Sequence, residues 1–114
     1  MPYLLIRTNR PLQQQEREIL LQKASAGIAE ALGKPERYVM VSLETERDML
    51  FAGEASPCAY LELKSIGLPG GRTTELSSTL TTLIGSELDI PADRIYIEFA
   101  DAERHMWGWN GGTF

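Results

Sequence analysis

Pro2 is the residue in this chain with the most chemical potential. The sequence opens Met1-Pro2-Tyr3-Leu4-Leu5-Ile6, so removal of an initiator methionine leaves proline at the terminus. Its nitrogen is then a secondary amine, and an α-amino group already titrates near pH 8, well below lysine. A modest downward shift makes such an amine a free base at neutral pH, able to abstract a proton. Many chains begin Met-Pro without chemical consequence, so Pro2 gains meaning only from what surrounds it.

Other reactive types are scarce. Cys58 is the only cysteine and His105 the only histidine. That excludes an internal disulfide, a CxxC redox pair and a Cys/His zinc site. In Cys58-Ala59-Tyr60-Leu61 a leucine stands where a second cysteine would be needed, so thiol-disulfide exchange is not expected. Cys58 follows Ser56-Pro57 at the start of a strand-like run and reads as a small buried apolar residue. His105, in Glu103-Arg104-His105-Met106, has no nucleophile beside it and reads as a solvated surface residue. Lys34 follows a helix-ending Gly33, where a cation complements the helix C-terminus.

Composition narrows the partners. The 114 residues are 43% hydrophobic and 24% charged, an ordinary balance for one globular domain spanning residues 1–114. The net charge of −5 argues against nucleic acid or an anionic membrane. A small anionic substrate then needs a local cation to offset the field. There is no basic stretch leading into an apolar one at the start, and no long apolar run. No signal peptide or membrane span is therefore expected, and the chain is assigned to the cytoplasm, with release without a signal peptide as the other route.

The elements that must position Pro2 come as a repeat. Leu20, Ala24, Ile28 and Leu32 form one stripe along a helix, and 56 residues later stand Leu76, Leu80, Ile84 and Leu88. Pro35 matches Pro91, and Val39, Val41 and Leu43 match Ile95, Ile97 and Phe99, the alternation of a half-buried strand. Tyr3 to Ile6 corresponds to Ala59 to Glu62. Each half reads strand, helix, strand. The helices are predicted over Leu12 to Leu32, with Pro11 in the first turn and Gly33 ending it, and over Thr73 to Leu88, capped by Thr73. Arg47 to Pro57 reads as a loop or short strand, and Gly67-Leu68-Pro69-Gly70-Gly71 as a turn.

Right-handed crossovers then give an α+β fold, two β-α-β units sharing a four-stranded mixed sheet with both helices on one face. The helix-side set is Val39, Val41, Leu43, Leu61, Leu63, Ile95, Ile97 and Phe99. The opposite set is Met40, Ser42, Glu44, Tyr60, Glu62, Lys64, Tyr96 and Glu98, and strand parity adds Pro2, Leu4 and Ile6 to it. A half-apolar open face with free edges invites self-association. The tail from Asp101 carries Trp107, Trp109 and Phe114 and is expected to pack on this subunit or a neighbour.

Short motifs throughout the chain match a known family. They are Met1-Pro2, Thr8-Asn9, Gly33-Lys34-Pro35 followed by Tyr38, Pro57-Cys58-Ala59, Ser65-Ile66-Gly67 and Gly70-Gly71. Asp93-Arg94-Ile95-Tyr96-Ile97 and Gly108-Trp109-Asn110 with Thr113-Phe114 complete the set. In these residues the chain resembles the macrophage migration inhibitory factor family of the tautomerase superfamily, and is similar to its D-dopachrome tautomerase members. The resemblance implies a homotrimer with active sites between subunits, catalysing keto-enol tautomerisation of aromatic α-keto acids such as phenylpyruvate.

Carried over residue by residue, the resemblance makes Pro2 the catalytic base. Lys34 and the backbone N–H of Ile66 would hold the substrate, Tyr96 would come from the neighbouring subunit, and Tyr38 and Trp109 would line an aromatic pocket. Lowering the proline amine by about 2 units takes about 2.7 kcal/mol of differential stabilisation. Desolvation by aromatic walls and repulsion from Lys34 both act in that direction. No metal, nucleotide or other cofactor is needed for this chemistry.

Three positions depart from the family pattern: Glu98 where an asparagine is familiar, Lys64 for a histidine, and Trp107 for a small aliphatic. An ionised carboxylate cannot donate a hydrogen bond to substrate oxygen as an amide can. Glu98 therefore implies weaker phenylpyruvate turnover or another substrate, and Trp107 a narrower or more stacking pocket. Two other functions are compatible with the resemblance. One is a cytokine-like receptor ligand, and the other a hydration or dehalogenation of a small unsaturated acid with Glu98 activating water.

Overall fold

The computed structural model describes residues Met1–Phe114. The elements run β1 (Tyr3–Thr8), α1 (Gln14–Leu32), β2 (Met40–Glu44), β3 (Ala59–Ile66), α2 (Thr73–Leu88) and β4 (Ile95–Ala102). A hairpin of two short strands, β5 (Gly108–Trp109) and β6 (Gly112–Thr113), closes the chain. The main sheet has the order β2-β1-β3-β4. β1 pairs parallel with β2, β3 parallel with β4, and β1 antiparallel with β3. The expected α+β architecture of two β-α-β units with a mixed four-stranded sheet is what the chain forms.

The repeated apolar stripes become the core. Leu20, Ala24 and Ile28 of α1 and Leu76, Leu80, Ile84 and Leu88 of α2 are buried against Leu61, Leu63 and Ile95 of the sheet. Val41, Leu43, Ile97 and Phe99 pack on the same cluster from the outer strands. α1 starts later than Leu12: the Gln13 N–H donates to the Glu16 carboxylate at 3.0 Å, and Pro11 lies ahead of the helix. Gly33 ends α1 in the left-handed region, φ 63°. Thr73 is inside the first turn of α2 rather than capping it, and its hydroxyl donates to the Gly70 carbonyl at 3.2 Å.

The parity of β1 is reversed from expectation. Leu4 and Ile6 are fully buried on the helix side, opposite Leu63 and Leu61. Tyr3, Leu5 and Arg7 occupy the other face, opposite Lys64, Glu62 and Tyr60. The cause is a one-residue slip in the repeat. Val41 and Ile97 are 56 apart, but their strand partners Leu4 and Leu61 are 57 apart. A shift of one residue moves every strand side chain to the opposite face.

Two polar residues, the buried Thr8 and the half-buried Asn9, fasten the loop over residues 45–58 to β1. The Thr8 hydroxyl donates to the Cys58 carbonyl at 2.8 Å, and Asn9 accepts from the Cys58 N–H at 3.0 Å. From the other side Arg94 donates to the carbonyls of Phe51, Glu54, Ser56 and Pro57. The Thr8-Asn9 and Asp93-Arg94 motifs thus act on the same loop, which presents Leu50 to solvent at 72% exposure. Cys58 itself is buried with a free thiol.

Candidate active site at the N-terminal proline

Pro2 precedes β1, and its carbonyl accepts the Met40 N–H at 3.0 Å, which fixes it at the start of the β1–β2 ladder. Its side chain is fully buried, at the floor of a cleft of about 490 Å³. Tyr38, Trp107, Trp109, Arg37 and Lys64 line the walls. The cleft exists because four separate pieces of chain end at one place: the start of β1, the turn after α1, the end of β3 and the C-terminal hairpin.

The hairpin supplies the aromatic wall. Trp109 stacks on Phe114 with centroids 5.4 Å apart and planes 12° from parallel. Tyr38 meets both edge-on, at 5.8 Å and 5.9 Å. The tail thus packs on its own subunit. Trp107 anchors it, its carbonyl accepting the Phe114 N–H at 3.2 Å.

Lys34 follows the left-handed Gly33, and its N–H bonds back to Ala29 at 3.0 Å. After this tight exit the ammonium donates to the Ile66 carbonyl, at the end of β3, across 3.4 Å. It pairs with no carboxylate. Its charge is felt at the chain terminus. Burial first, and then the Lys34 cation, hold the Met1 amine below the ordinary α-amino value. Pro2 is more deeply buried than Met1.

Tyr96 and Glu98 lie elsewhere on the sheet. Tyr96 pairs with Tyr60, four residues before Lys64 on β3, roughly 13 Å along the strand. It packs on Phe51 with centroids 4.6 Å apart, in a second cleft lined wholly by apolar and aromatic residues, among them Leu50, Cys58 and Tyr60. Glu98 accepts the Tyr60 hydroxyl at 2.6 Å on the open face. Within one chain neither residue meets Pro2, so Glu98 lies outside the cleft that its sequence position suggested. Lys64 does line the cleft, and its ammonium is 3.8 Å from Glu62.

Several cleft residues carry no sequence signal of their own. Tyr3, whose hydroxyl is 2.6 Å from that of Ser42, reads in sequence only as a strand residue. Arg37 reads as one charge in a polar turn, and Phe114 joins Tyr38 only because the hairpin folds back. His105 is exposed beside Glu103 and away from the cleft.

A duplicated β-α-β sheet with an aromatic cleft at the N-terminal proline defines a protein of the tautomerase superfamily. The sequence model of the family described as macrophage migration inhibitory factor (MIF) matches residues 1–114, and the chain belongs to that family. The macrophage migration inhibitory factor homolog of Brugia malayi is 44% identical over 115 residues, covering 100% of this chain and 99% of the relative. The crystal structure of the homologue from Prochlorococcus marinus shares 47% identity and a TM-score of 0.91, with 98% of each chain covered. The Trichinella spiralis structure is 32% identical with a TM-score of 0.90, covering 98% of this chain and 99% of that one.

Proposed function

We propose that this protein is a cofactor-independent keto-enol tautomerase acting on aromatic α-keto acids of the phenylpyruvate type, with the terminal amine of Pro2 as general base after loss of Met1. One observation carries this reading: Pro2 is buried in an aromatic cleft, next to a Met1 amine whose neutral form burial and Lys34 both favour. A secondary amine with its lone pair free takes a proton from the enol hydroxyl or from the carbon beside the keto group. It returns a proton to the other atom, leaving enzyme and formula unchanged.

Lys34 is suited to the substrate carboxylate. Its bond to the Ile66 carbonyl is long, and a carboxylate offers a shorter, charge-assisted partner. Tyr38 and Trp109 then flank the aromatic ring, and the Ile66 N–H is the further contact carried over from the family. Trp107 adds stacking surface at the cleft wall.

We place Tyr96 and Glu98 at the site from a neighbouring subunit of a homotrimer. The open sheet face and the loop supporting Leu50 give reason for association, since Met40, Leu50 and Tyr96 are 66%, 72% and 66% exposed. Both outer strands, β2 and β4, also keep a free edge. Glu98 at the site weakens turnover of an anionic keto acid by repulsion and by stabilising protonated Pro2.

The test is phenylpyruvate enol-to-keto conversion by protein whose mass shows Met1 removed, beside a Pro2→Gly variant of unchanged circular dichroism. Turnover that falls by about a hundredfold or more in the variant supports the proline base. Equal turnover in both excludes the proline base, and none in either with the trimer intact points to the receptor-ligand role instead.

A further inference from the structure

The ionisable lining of the Pro2 cleft has one sign. Within one chain Arg37 and Lys64 face it, with Lys34 beside the terminus, and no aspartate or glutamate lines it. This occurs in a chain with 16 acidic and 11 basic residues, net −5. A cleft that collects cations against such a background is shaped for anions.

Arg37 is the least committed of these cations. Its guanidinium lies 4.7 Å from the ring centroid of Tyr38, against the aromatic wall. It forms no ion pair. The nearest acid in sequence, Glu36, is held away from it by the Ser25 hydroxyl of α1, at 3.0 Å. By contrast Arg7, Arg47 and Arg72 are paired with carboxylates, and Arg94 is spent on backbone carbonyls. Arg37 is exposed, so its fork remains open to a ligand.

We propose that Arg37 is a second anion-binding residue, and that the cleft prefers aromatic acids bearing two anionic groups. Lys34 takes the first group at the inner end, beside the neutral terminal amine. The ring lies along Tyr38 and Trp109, and the planar guanidinium takes the second group at the outer end, as a carboxylate bound through two parallel N–H donors. This rests on the substrate class proposed above for the same cleft, and adds the second charge as the feature that distinguishes the preferred substrate.

The test measures binding without turnover, so that it stands apart from the proline mechanism. Quenching of tryptophan fluorescence by 4-carboxycinnamate and by cinnamate, neither of which can enolise, compares a dianion with its monoanion. The wild-type protein is expected to bind the dianion about tenfold more tightly, a preference expected to vanish in Arg37→Gln and to persist partly in Arg37→Lys. Cinnamate affinity is expected to stay within about twofold in Arg37→Gln, and Arg104→Gln, an exposed arginine outside the cleft, to keep the full preference. Equal wild-type affinities for the two ligands, or a preference surviving in Arg37→Gln, overturn the proposal. Failure of the Pro2→Gly comparison with the dianion preference intact leaves Arg37 a ligand-binding residue and removes only the catalysis.

Discussion

The ammonium of Lys34 reaches the carbonyl of Ile66 across 3.4 Å, joining the residue after the α1 cap to the last residue of β3. Both lie near the chain terminus, whose amine feels the lysine charge. The end of the first helix, the end of the third strand and the terminal nitrogen thus form one electrostatic unit, with no carboxylate to neutralise it.

Replacing Lys34 with glutamine removes the cation and leaves the Gly33 turn in place. A hydrogen bond to a charged group contributes about 1.5–3 kcal/mol. KM for phenylpyruvate is therefore expected to rise roughly tenfold to a hundredfold. Steady-state kinetics on the variant, with circular dichroism to confirm the fold, check this.

Tyr60 gives a pH-dependent signal on the open face. Its phenol is pushed well above the usual tyrosine range, first by the hydrogen bond to Glu98, then by burial and by Glu62 at 3.0 Å. A phenol with a raised folded-state pKa contributes stability that is present below pH 10 and lost as pH rises above it. Ultraviolet titration of phenolate absorbance is expected to show Tyr60 ionising last, and Glu98→Gln to bring it down towards the others. Should the Glu98→Gln profile match that of the wild type, Glu98 does not hold the phenol.

The same residue bears on turnover. If Glu98 of one subunit faces Pro2 of another, Glu98→Asn replaces an acceptor-only group with one that can donate to substrate oxygen. Phenylpyruvate kcat/KM is expected to increase in that variant. Unchanged kinetics would place Glu98 outside the assembled site.

Leu61 tests the core beneath the site. It is fully buried on β3, opposite Ile6 and Ile97. Leu61→Ala is expected to cost about 3 kcal/mol of stability through lost transfer energy and a residual cavity. Denaturant unfolding at fixed protein concentration measures it, and a loss under about 1 kcal/mol would mean that the site collapses freely.

The sequence made the helices and the four strands of the main sheet legible because their apolar period is carried twice, so each copy checks the other. The face that β1 buries escaped for a physical reason. Leu4, Leu5 and Ile6 are consecutive apolar residues, and such a run does not show which face is buried, while the repeat slips by one residue there. Single residues mark the candidate site in the sequence at Pro2, which lines the cleft, and at Gly33-Lys34 beside the chain terminus. Arg37, Tyr3 and Phe114 join the cleft only through the closing of β1, β2 and the tail upon one another, which no local pattern encodes. Tyr96 and Glu98 stand out in sequence yet lie apart from Pro2 within the chain, beside Phe51 and Tyr60.

The most direct measurement is an NMR titration of the Pro2 nitrogen in protein of confirmed N-terminal proline, using 15N-proline, since only a terminal proline nitrogen can titrate. Burial and Lys34 both destabilise the protonated amine of Met1, and the adjoining Pro2 nitrogen is expected to meet both once it is terminal. The account predicts a pKa below the ordinary α-amino value near 8, rising towards it in Lys34→Gln. A pKa at or above that value, unmoved by Lys34→Gln, would contradict a neutral proline base.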